Sequence, residues 1–452
     1  MRRLLHNPKR NWYMKVRFLL AATLLFFGSR AVSAQEMIPL EKVVALALEK
    51  NYDVRLSQNA SEAANKVNNT AIGAFLPQVS AVGSTLWNDN KQELEFEDEN
   101  RNNRGDAKSN NLAASVQLNW ILFDGTRMFA TRERVAVIAE QGELLVKEQM
   151  VNTIASVVLN YYDIVRQKQQ LKAIEEQMAV SEERVKLADR KLQVGVGGKP
   201  ELLQAKVDYN AQRTQVLQQE AMILQLKEEL NALVGLQLPA TYDVADTIII
   251  DLTLQREAIA DNIESSNFGL QSARRNLQIA NLLLWESRAQ QSPVLSFNGA
   301  YNFNRVNNTV LINPFGALFS QTQGYNYGLT LTVPLLNGLT TRRQIELDKI
   351  NVTRQQVLYD QQKTTVDVGL RNAYTGYDNA KKILLVEEEN ILLAKENVFI
   401  ALEGFKRGIT TFIELRTAQQ SLEDAYNRLI SARYLAKVAE TELLRLNGGL
   451  LR

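Results

Sequence analysis

The chain has no cysteine, and its one histidine, His6, stands near the start. Without cysteine there is no disulfide and no thiol to carry a lipid at a processed N-terminus. Beyond position 6 the usual zinc sites and Ser-His or Cys-His catalytic pairs cannot be built. An enzyme would have to work through carboxylates, lysine or tyrosine, and no paired acids fall in a glycine-lined pocket pattern. No catalytic, cofactor or metal-binding residue is assigned. Proline is scarce, 8 in 452 residues, and none lies between Gly125 and Pro200. That stretch can be crossed by one helix. Long apolar runs are also lacking, apart from Phe18–Phe27. That run follows Arg2, Arg3, Lys9, Arg10, Lys15 and Arg17 and precedes Val32-Ser-Ala34, the pattern of a signal peptide over residues 1–34. A retained anchor is the alternative. Removing 1–34 takes away 7 of the 52 basic residues and no acid, leaving 45 against 50, or −5. That balance gives no reason to expect nucleic acid as a partner.

What is present is a motif that occurs twice. Leu192-Gln-Val-Gly195-Val-Gly197-Gly198-Lys199-Pro-Glu201 and Phe405-Lys-Arg-Gly408-Ile-Thr410-Thr411-Phe-Ile-Glu414 are offset by 213 positions. Each follows a long polar helical pattern and precedes a shorter one, so each reads as the turn of a helical hairpin. Asp124-Gly125 and Asn337-Gly338 keep that offset, and Asn51/Asn267 and Pro77/Pro293 keep one of 216. The repeats are expected at 35–238 and 239–452. The first holds helices at about 39–74, 125–194 and 200–234 and strands at about 76–87 and 112–123. The second holds helices at about 254–290, 339–407 and 411–446 and strands at about 293–304 and 325–336. A helix of about 70 residues is roughly 105 Å long and persists only by packing along its sides.

Four segments alternate with period two, as Val116, Leu118, Trp120 and Leu122 do against Ser115, Gln117 and Asn119. Residues 88–110, rich in Asn and charged side chains, read as an exposed loop. One apolar and one polar face suit a wall between lipid and water, with Trp87, Trp120, Tyr301, Phe303, Tyr325 and Tyr327 as interfacial aromatics. The other reading is a soluble β-subdomain packed on the helices of a secreted periplasmic coiled-coil scaffold. Four strands cannot close a membrane barrel, so a spanning sheet requires several chains. The acidic run Glu93–Glu99 lacks the spacing of an EF-hand and reads as a solvated loop.

Leu40 to Asn51, Val333-Pro-Leu-Leu-Asn-Gly338, Trp120-Ile-Leu-Phe-Asp-Gly125, Tyr161-Tyr-Asp163, Tyr374 and Ala418-Gln419 complete an ordered set. With the duplicated turns and the leader, the chain resembles the TolC-like outer membrane efflux channel family over its mature length. The resemblance implies a mainly helical fold of two tandem hairpin repeats. It also implies a homotrimer sharing a 12-stranded barrel in outer membrane lipid above a helical tunnel in the periplasm. The implied partners are a periplasmic adaptor and an inner membrane transporter, and the activity is conduction. It places the adaptor-docking tips at Gly195, Gly197, Gly198, Lys199, Gly408, Thr410 and Thr411, and the pore entrance at Glu201 and Glu414. Thr410 and Thr417 depart from the family pattern, which has an arginine and a second acid there. From the residues alone, both glutamates also suit the first turn of a helix.

Overall fold

The computed structural model describes residues 36–99, 102–239, 242–255, 263–313 and 315–451. The expected signal peptide lies outside them. In chain order the first repeat holds β1 (Glu36–Met37), α1 (Leu40–Lys50), α2 (Tyr52–Thr70), β2 (Gln78–Leu94), β3 (Asn103–Phe123), α3 (Arg127–Gln193) and α4 (Lys199–Leu233). The second holds β4 (Tyr242–Asp243), α5 (Ile263–Ser266), α6 (Phe268–Ala289), β5 (Val294–Val310), β6 (Phe319–Thr332), α7 (Thr340–Lys406) and α8 (Phe412–Leu446). Among the described residues no helix is long and apolar enough to cross a membrane.

The expected helix over 39–74 is two helices, because Asn51 breaks it. The Asn51 side chain accepts from the backbone N–H of Asp53 and Val54 and so caps α2. Its amide also donates to the Leu233 carbonyl at the end of α4 (2.9 Å). Asn267 does the same work in the second repeat. It caps α6 through Leu270 and donates to Leu446 at the end of α8 (2.9 Å). Each asparagine therefore satisfies orphan groups of two helices. Of the helix expected over 254–290, residues 254 and 255 are not helical, 256–262 lie outside the described residues, and the break at Asn267 divides the rest.

The strands run further than their composition suggests. Residues 88–94 and 103–110, expected in a loop, continue the β2–β3 ladder from Trp87↔Asn110 to Leu94↔Asn103. A polar strand is stable in water once its ladder is paired, so Asn and Lys cost little there. β6 ends at Thr332, earlier than expected, because Pro334 lacks the N–H a ladder needs.

The main sheet has the antiparallel order β2-β3-β5-β6. Its register sorts the side chains cleanly. Val79, Ala81, Val116, Leu118, Trp120, Leu295, Phe297, Tyr301, Phe303, Tyr325, Tyr327, Leu329 and Leu331 share one face. Ser80, Ser115, Gln117, Asn119, Asn298, Asn302, Asn326 and Thr330 share the other. No helix covers the apolar face: Val79, Val116, Tyr301, Tyr325 and Tyr327 are all exposed. The soluble-subdomain reading required that face to be covered. Both outer edges, β2 and β6, are unpaired in the single chain.

α3 and α7 each have 67 residues, about 100 Å at 1.5 Å per residue. α3 is flanked by α2, α4, α6 and α8, and α7 by α6 and α8. Tyr161, on α3, is fully buried, donates to the Ile38 carbonyl (2.9 Å) and accepts from the Ala245 N–H (3.0 Å). It thereby ties both ends of the belt made by β1 and β4 to the long helix. Lys168 and Lys381, 213 positions apart, each donate to a carbonyl of the 242–255 connector. On α7, Leu385, Leu392 and Phe399, and beside them Val386, Leu393 and Ile400, are exposed at seven-residue spacing. Leu203, Leu217 and Leu224 of α4 are exposed on the same period. These are coiled-coil faces with no helix of this chain against them.

Candidate functional site at the hairpin tips

Each long helix ends in a glycine with left-handed backbone, Gly195 (φ 78°) and Gly408 (φ 77°). There the turn closes on the helix it leaves. Val196 and Gly197 donate to the Lys191 carbonyl (both 3.0 Å), and Ile409 and Thr410 to that of Gly404 (2.9 and 3.3 Å). Such termini take glycine because a Cβ is unfavourable at positive φ. The fit is close: a Cβ on Gly404 would stand 3.1 Å from Cβ of Thr410 and collide with its hydroxyl.

The two returning helices start differently. α4 begins at Gly198 with no side-chain cap and with Pro200 in its first turn. α8 begins with a complete capping box. Glu414 accepts from the Thr411 N–H (2.7 Å) and hydroxyl (2.9 Å), while the Glu414 N–H donates to the Thr411 hydroxyl (3.2 Å). The Thr411 backbone N–H, followed by its hydroxyl, holds the Glu414 carboxyl below its ordinary value. Glu201 is half-buried in the first turn of α4. Within one chain no hydrogen bond or ion pair among the described residues joins Glu201 to Glu414. Val194, Val196, Ile409 and Ile413 are exposed at the tips.

A charged junction two to three turns above the tips escaped the sequence reading. Arg184 of α3, its side chain 2% exposed, donates to Asp208 of α4 (2.6 Å) and to Gln419 of α8 (2.9 Å). Arg416 of α8 reaches the same Asp208 (3.3 Å), and Gln204 adds a third donor (2.8 Å). Arg184 also lies over the Phe412 ring (5.0 Å). One aspartate thus joins the two hairpins, beside a cavity of about 210 Å³ lined by Gln177, Gln212 and Gln419. The sequence held no signal for Arg184: Ala173, Gln177, Ser181, Arg184 and Ala188 form one buried helical stripe, but three of the five are polar. An arginine on such a stripe needs a buried acceptor.

At the far end, Trp120 donates its indole N–H to the Phe75 carbonyl (2.8 Å), beside the helices. Trp87 and Phe319 lie level with each other ten positions along the ladder from Trp120 and Phe297. Ten residues at about 3.3 Å, tilted by about 40°, span roughly 25 Å, the height of a membrane barrel's apolar band. Tyr301, Phe303, Tyr325 and Tyr327 fall between these rows rather than at its ends.

The profile of the family described as "Outer membrane efflux protein" matches residues 43–236 and 259–449. The chain is 21% identical over 370 residues to the outer membrane protein TolC of Vibrio cholerae serotype O1, covering 78% of this chain and 82% of the relative. It superposes on the outer-membrane channel OprN with a TM-score of 0.75 at 18% identity, covering 91% of this chain and 90% of that one. On the Campylobacter jejuni CmeC outer membrane channel the score is 0.74 at 18% identity, with 91% and 85% covered.

Proposed function

The chain belongs to the outer membrane efflux protein family, and on that premise we propose how its own residues make a trimeric channel-tunnel for export. The observation that carries the reading is the sheet: one apolar face, one polar face and two open edges at the end of helices about 100 Å long. In a membrane an unpaired ladder is not tolerated. Joining β6 of one copy to β2 of the next closes three such sheets into 12 strands. The same contact brings the exposed heptad face of α7 towards α4 of the neighbour.

The mature chain is read as the repeats 35–238 and 239–452 behind a leader at 1–34. Trp120 and Trp87 mark the inner and outer interfaces of the bilayer. The inward face of the sheet carries no charged side chain between Gln78 and Leu86 or between Asn111 and Ile121, and none on β5 from Ser296 to Val306 or on β6. The barrel is then permissive, and discrimination among solutes belongs to the tips. There Glu201 and Glu414, repeated three times, would draw cations, as converging carboxylates do. The exposed aliphatic pairs Val194/Val196 and Ile409/Ile413, with the turns Gly195–Lys199 and Gly408–Thr411, are the docking surface for a periplasmic adaptor. That adaptor connects the tunnel to an inner membrane transporter.

Conductance of the purified protein in planar bilayers tests the channel. Single openings with a cation preference that falls in Glu201→Gln/Glu414→Gln support the reading. Unchanged selectivity in that double variant removes the carboxylates from the pore, and a protein that never conducts removes the channel.

A further inference from the structure

The apolar face of the sheet carries a single charged side chain between the level of Leu295 and that of Trp87. It is Arg305, cross-strand from Leu112 and Gln321. Counting from the Trp120–Phe297 row, it stands eight residues up β5, about 20 Å in height, two residues short of the Trp87–Phe319 row. Its guanidinium does not lie over its own row. It leans one step outward, over the ring of Phe319 (5.4 Å), away from the bilayer centre. Arginines at the margin of an apolar band take this posture to bring the charge to the headgroup layer.

The neighbours on that face are Gln321, Asn307 and Asn110, which supply amide donors, and the exposed rings of Trp87 and Phe319. Asp89, the first acid further out on this face, is held by Lys108 (2.8 Å). Among the described residues no carboxylate lies within ion-pairing distance of Arg305. The result is a positive charge with surrounding N–H donors and apolar rings below and beside it, at headgroup height and facing lipid. We propose that Arg305, with Gln321 and Asn307, binds the phosphate of an outer-leaflet lipid, one such site per protomer. The site rests on the channel reading, which sets the sheet in a membrane with this face outward. Its chemistry is planar, multi-donor recognition of a phosphate, and the Phe319 ring fixes the guanidinium plane.

The test uses the detergent-solubilised trimer, titrated with phosphatidic acid, with diacylglycerol and with inorganic phosphate, and read by native mass spectrometry. Loss of one charge-assisted contact in Arg305→Gln should weaken phosphatidic acid binding about ten-fold. Diacylglycerol binding should not change, and Arg305→Lys should recover part of the loss. Equal phosphatidic acid binding by wild type and Arg305→Gln overturns the site. Equally effective competition by inorganic phosphate overturns the lipid assignment. Bilayer conductance of Arg305→Gln should match wild type, which keeps this result separate from the channel reading itself.

Discussion

Arg184 and Asp208 meet at 2.6 Å across the first hairpin, and Arg416 of the second hairpin shares the same aspartate. The contact is asymmetric in exposure: Arg184 is buried, while half of the Arg416 side chain faces solvent. Burial lowers the Arg184 pKa, and the adjacent Asp208 carboxylate works against that shift.

Removing the acid strands the buried cation. Asp208→Asn should therefore cost about 3–5 kcal/mol, whereas Arg416→Gln, at an exposed pair, should cost about 1 kcal/mol or less. Denaturant unfolding of the two variants checks the order. Equal losses would mean that Asp208 serves the outer arginine as much as the inner one. Because Arg416 and Gln419 sit on α8, Asp208→Asn should also raise open probability in bilayers.

The capping box separates two roles for Glu414. Thr411→Ala removes the cap and leaves the carboxylate, and should destabilise the tip by about 1 kcal/mol. If Glu414 also lines the pore, only Glu414→Gln changes ion selectivity. Paired hydrogen-exchange and conductance measurements distinguish the two variants, and a selectivity change in Thr411→Ala of the same size would show that tip geometry, not charge, sets the preference.

The same carboxylate fixes a pH dependence. Its folded pKa lies below the ordinary 4.5, so its contribution is complete above 4.5 and is lost as pH falls through the lower folded value. Protection of the Phe412–Leu415 amides, relative to their intrinsic exchange rates, should fall below pH 4.5, while the Pro200–Leu202 turn, which has no capping box, should respond less. Parallel loss of protection at both tips would argue for general acid unfolding.

Adjacent residues of β3 give a direct reading of which face meets lipid. Val116→Arg should destabilise the assembled barrel by about 2–4 kcal/mol if it lies near mid-membrane. Gln117→Arg should leave stability unchanged and shift selectivity toward anions. Heat-modifiability on gels and bilayer recording would report these, and the reverse pattern would invert the sheet.

Much of this fold was legible because its punctuation is local. Gly195 and Gly408 are demanded by positive φ, and Asp124-Gly125 and Asn337-Gly338, also with left-handed glycines, mark where the long helices start. The break at Asn51 was harder, since an asparagine that caps one helix while bonding the end of another is known only once both helices are placed. The polar outer halves of β2 and β3 were hidden for a related reason: cross-strand pairing, not composition, holds Asn88 to Leu94 in a ladder. Arg416 was visible near the turn, but its direction depends on Asp208, more than 200 residues away in sequence. The family resemblance singled out Glu414 for the pore, while its neighbour Thr411 gives it a local task in the same turn.

The open edges of β2 and β6 have a kinetic consequence. A lone protomer has nowhere in lipid to place its unpaired backbone groups, so membrane entry and association must be coupled. Where assembly is reversible, the abundance of closed barrels at low occupancy scales with the third power of protomer concentration. Halving synthesis would then cut finished channels about eight-fold. A cell making this protein sparingly would have almost none of it working, and a chain damaged only at an edge would poison its intact partners.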